Sequence, residues 1–528
     1  MGNTLASRQT AANCLFTILV LEQPARTAQR LQCITWVAPI QSAYDREIRV
    51  NGDDLYWRSL NVATDELHYM ELTELTQRIH AGEITSGEAT QAALTRIEAL
   101  DGTLHSFALV LPEYALERAR IADEQIRAGE IKGPLHGAPI AVKDLCWMQG
   151  VPTAAGTIVH RDFRPTEDAT VVDRLTAAGA VILGKLQLTE GAYADHHPQV
   201  TPPVNPWNAA HWSGASSSGS GSATAACLCY GSLGSDTGGS IRFPSAASGL
   251  TGLKPTWGRV SRYGVFELAA TLDHIGPMTR SARDCAAMLG VIAGADENDP
   301  TALQEPVPDY LAGISRGLHG IRVGIAPAWT EAQADETTRK AIASVVETVR
   351  ALGAEIREIR FPDVTQMVED WFPLCGVETA VAHEATYPSR KSEYGPALSG
   401  LIELGRGLSG MDYQRIVLRR HDFSGRLAAL FRTVDLLLVP AQGFASPTLT
   451  KMATLGEDAA LMTSLLGFTC PFDMSGSPTI TLPCGFTEAD TPVAFQFVGA
   501  HLAEELLCRA GHAYQEATDW HKRHPALG

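Results

Sequence analysis

The sequence predicts an α/β fold in which one mixed β-sheet is covered by helices on both faces. Three observations predict it. Helical periodicities alternate with short strand-like runs from about residue 70 onward. Those runs are continuously apolar rather than alternating, as strands buried on both faces require. No Pro- or Ser-rich linker divides residues 66–528, so one large domain is expected, although 528 residues would suggest three or four at ~150 each.

Residues 1–65 lack sustained periodicity and read as an N-terminal extension. Leu72–Ala81 and Ser86–Ala99 then carry amphipathic helical spacing, with Ser86 as the N-cap and Asp101-Gly102 as the stop. A third helix covers Pro112–Ala128. Gly137-Ala138-Pro139-Ile140-Ala141-Val142 reads as a buried strand that ends on Lys143-Asp144. Helix Ala169–Ala178 leads into strand Val181–Leu188, which repeats the theme. Further strands are expected at Ile321–Ile325, Asp435–Pro440, Thr479–Pro483 and Ala494–Gly499, with a helix over Glu336–Leu352. No internal repeat is found.

Composition narrows the function. Lys and Arg total 42 against 59 Asp and Glu, a net charge of −17, which disfavours a phosphate-backbone partner. No apolar run is long enough to span a bilayer, so no membrane association is expected. The ten cysteines show neither C-x-x-C nor zinc-ligand spacing, and read as reduced thiols. Ala11–Leu21, after Arg8, is too broken by Asn13 and Thr17 for a secretory leader and lacks a cleavage site. A cytoplasmic location is the expectation.

The chemistry is concentrated between Gly214 and Pro244. Gly214-Ala215-Ser216-Ser217-Ser218-Gly219-Ser220-Gly221-Ser222 opens a small-residue helical stretch, followed by Gly234-Ser235-Asp236-Thr237-Gly238-Gly239-Ser240-Ile241-Arg242. A flexible linker shares the first half's composition but would not recur as a second Gly-Gly-Ser beside an Asp and an Arg. Thr237-Gly238-Gly239 can align successive backbone N–H groups into an anion-binding concavity, since glycine tolerates the required dihedrals. Ser240, at its end, is placed as a nucleophile. No nearby histidine singles itself out as the base. Lys143, closing an apolar strand, could be made neutral by burial, or could simply pair with Asp144 or another carboxylate.

These segments resemble the amidase signature family. The likeness runs through Gly133–Asp144, the Gly/Ser run, Gly234–Pro244, Gly252–Thr256, Val260–Gly264 and Leu272–Met278, and resumes at Leu436–Pro440 and Gly476–Gly485. It implies a single amidase-signature domain with a Ser–cis-Ser–Lys triad: Ser240 as nucleophile, Ser216 as the bridging serine after a cis peptide, and Lys143 as general base. It also implies oxyanion-hole N–H groups from Thr237, Gly238 and Gly239, with Asp236 and Arg242 bracing that loop. Ala215 and Ser218 stand where the family mostly has Gly, and the Glu190–Pro198 loop is shorter than its pattern. Tyr193 in that loop either lines the acyl pocket or packs in the core.

The implied activity is hydrolysis of small linear amides, with aryl amides and carbamates (urethanase activity) in reach. No cofactor and no metal are expected. Homodimerisation is a family-level expectation. The alternatives are the glutaminase subunit of a tRNA-dependent amidotransferase, whose Met-Gly-Ser-rich loop Glu190–Val204 lacks, and a non-catalytic binding protein of the same fold. Rival signals lack context. Gly313-Ile314-Ser315-Arg316-Gly317 fits G-x-S-x-G, but a strand follows it where an elbow needs a helix. His196-His197 and His383-Glu384 have no third ligand at metal spacing.

Overall fold

The computed structural model describes residues 67–527, within one compact unit, Val62–Gly528. The expectations for residues 1–65, the Ala11–Leu21 stretch included, lie outside the described residues.

In chain order the strands are β1 (Phe107–Val110), β2 (Pro139–Lys143), β3 (Val181–Leu186), β4 (Gly231–Asp236), β5 (Thr251–Lys254) and β6 (His274–Thr279). They continue as β7 (Arg322–Ile325), β8 (Glu355–Glu358), β9 (Leu436–Pro440), β10 (Thr479–Phe486) and β11 (Pro492–Gly499). All eleven form one sheet in the order β1-β3-β2-β4-β6-β5-β10-β11-β9-β7-β8. It is mixed. β2 runs parallel to β3 and β4, and β7 parallel to β8 and β9, while β4 meets β6 and β10 meets β11 antiparallel.

Every residue of β2, β3, β4, β5, β6, β9 and β11 is buried. That explains their mostly apolar or small-residue sequences, since neither face meets water; the buried exceptions are Lys143, Lys185, Asp236, Lys254, His274 and Gln496. The α/β reading of the sequence therefore holds, in a single large sheet-centred domain.

Local corrections have physical causes. The second helix spans Ser86–Leu104, and its N-cap is Thr85, whose hydroxyl forms a capping box with Glu88. Asp101-Gly102 does not stop it. Instead Asp101 accepts the N–H groups of Ser106 and Phe107 at 2.7 and 3.2 Å, turning the chain into β1. Of the described helices, none is long and apolar enough to cross a membrane. The eight described cysteines are free and buried.

Candidate active site

β2, flanked by β3 and β4, delivers Lys143 into the interior, where its side chain is fully buried. The adjacent Asp144 is not its partner. Asp144 pairs with Lys185 at 3.0 Å and accepts the N–H of Ala154. Lys143 Nζ instead lies within hydrogen-bond distance of three hydroxyls, Ser216 Oγ, Ser217 Oγ and Ser235 Oγ, each at 2.8 Å. Burial brings its pKa down to about 7, against opposing pulls from Cys146, Asp236 and Asp273.

Hydrogen-bond accounting gives this cage a direction. Ser217 Oγ accepts from Lys143 and from the Ser235 N–H, and donates its own proton to the Ser235 carbonyl at 3.2 Å. A neutral lysine has two N–H donors and one lone pair. With the Ser217 proton committed, the lone pair is left for Ser216 or Ser235.

The Gly/Ser run folds as expected into a helix of small residues, Ser218–Ala225. Its glycines allow close packing: a Cβ on Gly219 would lie 2.4 Å from the Ser106 carbonyl, and one on Gly214 would lie 2.3 Å from Pro244 Cα. The Ala215–Ser216 peptide is cis. The Ser216 carbonyl accepts the Thr189 N–H, and the Ser217 N–H reaches the Ser240 carbonyl at 3.4 Å. From Ser213 to Leu250 every residue is buried except Ser240. A hydroxyl reachable from solvent, in a segment otherwise closed to it, is what a nucleophile needs.

The loop before Ser240 is held from several sides. Trp371 Nε1, on the helix Thr365–Ala382, donates to the Thr237 carbonyl at 2.8 Å. Cys470 Sγ lies 3.8 Å from the Gly238 carbonyl, and the Thr237 hydroxyl donates to Asp273 at 2.6 Å. In a trans peptide the C=O and following N–H point oppositely. Fixing the Thr237 carbonyl on Trp371 therefore directs the Gly238 N–H away from that ring. The Gly239 N–H is engaged, donating to Asp236 Oδ1 at 2.6 Å. Among the described residues, no hydrogen-bond acceptor serves the N–H groups of Thr237 or Gly238.

Asp236 also accepts the Ile241 N–H and pairs bidentately with Arg242, whose guanidinium continues to Asp473 at 2.5 Å. Arg242 and these nearby donors hold the Asp236 carboxyl well below the usual carboxylate range, despite complete burial. Beneath them Lys254 donates to the Ser477 carbonyl and to His274 Nε2, and His274 Nδ1 faces the Asp236 carbonyl at 3.2 Å. Burial and Lys254 keep His274 neutral, so its Nδ1 carries the proton toward that carbonyl. The expected bracing by Asp236 and Arg242 is thus one part of a larger buried network.

Tyr193 follows the short turn Glu190–Ala192 and is partly buried against the main core. Burial raises its phenol pKa. His196 Nε2 meets Ser218 Oγ at 3.1 Å, and His197 Nδ1 accepts the Gln199 N–H. No group of three or more metal-ligating side chains occurs among the described residues. Ser315 is exposed in a turn before β7, 3.4 Å from His512.

Sequence reasoning missed Ser217, Ser235, Trp371, Asp273 and Asp473. Adjacency to Ser216 and Asp236 could have flagged the two serines. Trp371 is over 100 positions from the loop it holds, with no local signal.

The amidase family model matches residues 88–508. A Mycobacterium tuberculosis protein with the provisional name amidase AmiD is 51% identical over 446 residues, covering 84% of this chain and 93% of its own length. A glutamyl-tRNA(Gln) amidotransferase subunit from Methylococcus capsulatus is 38% identical over 468 residues, covering 84% and 96%. The structure of the peptide amidase from Stenotrophomonas maltophilia superposes with a TM-score of 0.74 at 30% identity, covering 87% of this chain and 98% of that one.

Proposed function

The chain belongs to the amidase family, and on that footing we propose that it hydrolyses small linear amides, aryl amides and carbamates included, through an acyl-enzyme on Ser240. One observation carries the reading: a fully buried lysine, depressed to about neutral pKa, lies in a cage of serine hydroxyls within the segment where Ser240 alone is reachable. Such an assembly would supply the base that the proposed relay needs without a histidine.

The steps follow from the donors. Neutral Lys143 takes the proton of Ser216, and Ser216 takes that of Ser240 as its Oγ bonds to the substrate carbonyl carbon. The carbonyl electron pair moves to oxygen, where the free N–H groups of Thr237 and Gly238 receive the negative charge. Gly239, whose N–H already serves Asp236, acts by shaping the turn unless that bond opens. Each oxyanion donor of this kind contributes about 10²–10³ in rate. Collapse breaks the C–N bond, and the proton held by Lys143 returns through Ser216 to the departing amine. Water then attacks the ester, giving its proton to the same relay, and Ser240 recovers a proton as the acid leaves. Tyr193, partly buried against the core, is assigned here to the lining of the acyl side.

A panel of primary amides, aryl amides and carbamates, with Ser240→Ala as control, tests the reading. Turnover of at least one class, reduced several orders of magnitude in Ser240→Ala, is expected; a panel left untouched would refute it. The 38% identity to an amidotransferase component favours a second reading, glutaminase action within an assembly. Ammonia release from glutamine by the lone chain, with aryl amides untouched, would select it.

A further inference from the structure

The loop that ends on Ser240 contains three successive peptide units, Asp236–Thr237, Thr237–Gly238 and Gly238–Gly239. They divide by what meets their carbonyls. The Asp236 carbonyl faces His274 Nδ1 at 3.2 Å, and the Thr237 carbonyl accepts the Trp371 indole N–H at 2.8 Å. The Gly238 carbonyl meets the Cys470 thiol, a weaker donor, at 3.8 Å. The N–H groups divide the same way. Those of Thr237 and Gly238 belong to the two units with a ring N–H at the carbonyl, and neither has an acceptor among the described residues. That of Gly239, in the third unit, is engaged by Asp236 Oδ1 at 2.6 Å.

Both ring donors are themselves held in place. Trp371 is buried on the helix Thr365–Ala382, next to Asp370, which pairs bidentately with Arg419 at 2.6 and 2.7 Å. His274 Nε2 faces Lys254 Nζ at 3.1 Å, and Lys254 also donates to the Ser477 carbonyl at 2.7 Å. With Nε2 accepting from Lys254, the imidazole proton sits on Nδ1, and a carbonyl opposite it can only accept. The Asp473 carboxylate is the other acceptor within reach of Nδ1, but it is farther away, at 3.7 Å. A chain of donors therefore runs from Lys254 through His274 to the Asp236–Thr237 peptide.

We propose that His274 and Trp371 are positioning residues that orient and polarise, from behind, the two peptides that receive the oxyanion; the proposal rests on the amidase reading above. In a trans peptide the C=O and the following N–H point oppositely and share one delocalised system. A donor on the oxygen draws electron density toward it and strengthens the N–H on the far side, by about 10–30% per bond in such a chain. The same donor fixes the peptide plane, so the N–H needs no reorganisation as charge develops on the substrate oxygen. The gain grows with that charge. It therefore belongs to the transition state more than to the bound amide, and its loss should fall on kcat rather than KM.

Two measurements test this. Trp371→Phe removes the indole donor and keeps a ring, while His274→Leu removes the imidazole donor and His274→Asn restores an N–H near the place of Nδ1. Trp371→Phe and His274→Leu should each lower kcat about tenfold on an amide that the wild type turns over, with KM little changed, and His274→Asn should recover most of the loss. The second measurement reads the oxyanion itself. A benzyl trifluoromethyl ketone, isotopically labelled at its carbonyl carbon, adds to Ser240: Oγ bonds to that carbon, the carbonyl electron pair moves to oxygen, and the hydroxyl proton passes to the relay. NMR then follows the pH at which the hemiketal oxygen loses its proton. That pH should rise by about one unit in Trp371→Phe and in His274→Leu, a tenfold loss of oxyanion stabilisation. Should the histidine variant fail to fold, the tryptophan variant decides alone. A hemiketal that ionises at the wild-type pH in Trp371→Phe would overturn the proposal and leave the amidase reading standing. The expected rise without turnover of any amide would support the proposal and overturn the amidase reading. No adduct on the wild type would overturn both.

Discussion

Each hydroxyl around Lys143 can be removed separately, and the three removals should differ in cost. Ser216→Ala interrupts the relay and is expected to lower kcat by more than about 10³, whereas Ser217→Ala leaves the relay intact and removes only a partner that fixes the amine. A loss of roughly tenfold in kcat with KM little changed is expected for Ser217→Ala, in line with one buried hydrogen bond. Equal losses at both positions would contradict the assignment of Ser216 as the bridge. The pH dependence follows from the pKa of about 7. The base must be neutral, so kcat/KM should rise with pH through about 7, and Lys143→Arg, charged at every accessible pH, should be almost inactive. The same shift has a stability consequence. Between about pH 7 and the ordinary lysine value of 10.5 the unfolded chain binds the extra proton, so stability rises with pH across that window. The urea midpoint of wild type relative to Lys143→Met should therefore move in favour of wild type from pH 7 to pH 10.

At the scale of elements, the turn from β4 into Ser240 depends on what has no side chain. A Cβ on Gly238 would lie 2.6 Å from the Trp371 ring, and one on Gly239, at φ +140°, would lie 2.3 Å from Phe243. Gly238→Ala is expected to lower kcat at least about a hundredfold through a displaced oxyanion loop while circular dichroism stays native. An alanine variant with normal kcat would show that this loop does not set the rate. The buried network behind it answers for stability. Arg242→Met strands Asp236 and Asp473 without their shared cation, and a loss of about 3–5 kcal/mol in urea unfolding is expected. Elements differ in how plainly the sequence displays them. β9 is apolar throughout and β2 is apolar up to Lys143, and both are legible because continuous burial leaves a continuous pattern. β4 is Gly-Ser-Leu-Gly-Ser-Asp and was not, since its side chains are small to admit the serine-rich helix, and small residues carry no periodicity. β1, β5, β6 and β8 escaped notice because they are short or polar and are fixed by pairing with distant strands. Of the candidate site, Lys143, Ser216 and Ser240 could be named from the resemblance. Trp371 and Asp473 could not, since only the folded chain brings them to the loop.

At the scale of the whole molecule, the sheet places β2 beside β4, so the lysine and the Ser240 loop come from neighbouring strands separated by some 90 residues of chain. All of these groups lie within the compact unit beginning at Val62. A chain starting at Val62 is therefore expected to fold and to match the full-length kcat/KM on the same amide; loss of activity with folding intact would show that the first residues contribute to the site. Whether Ser240 carries the acyl group is decided by reacting the full-length protein with a fluorophosphonate and mapping the adduct by peptide mass spectrometry. One adduct is expected, on the peptide containing Ser240, with turnover lost in proportion to labelling and with much slower labelling in Lys143→Ala. An adduct on Ser315, or full turnover with Ser240 modified, would contradict it.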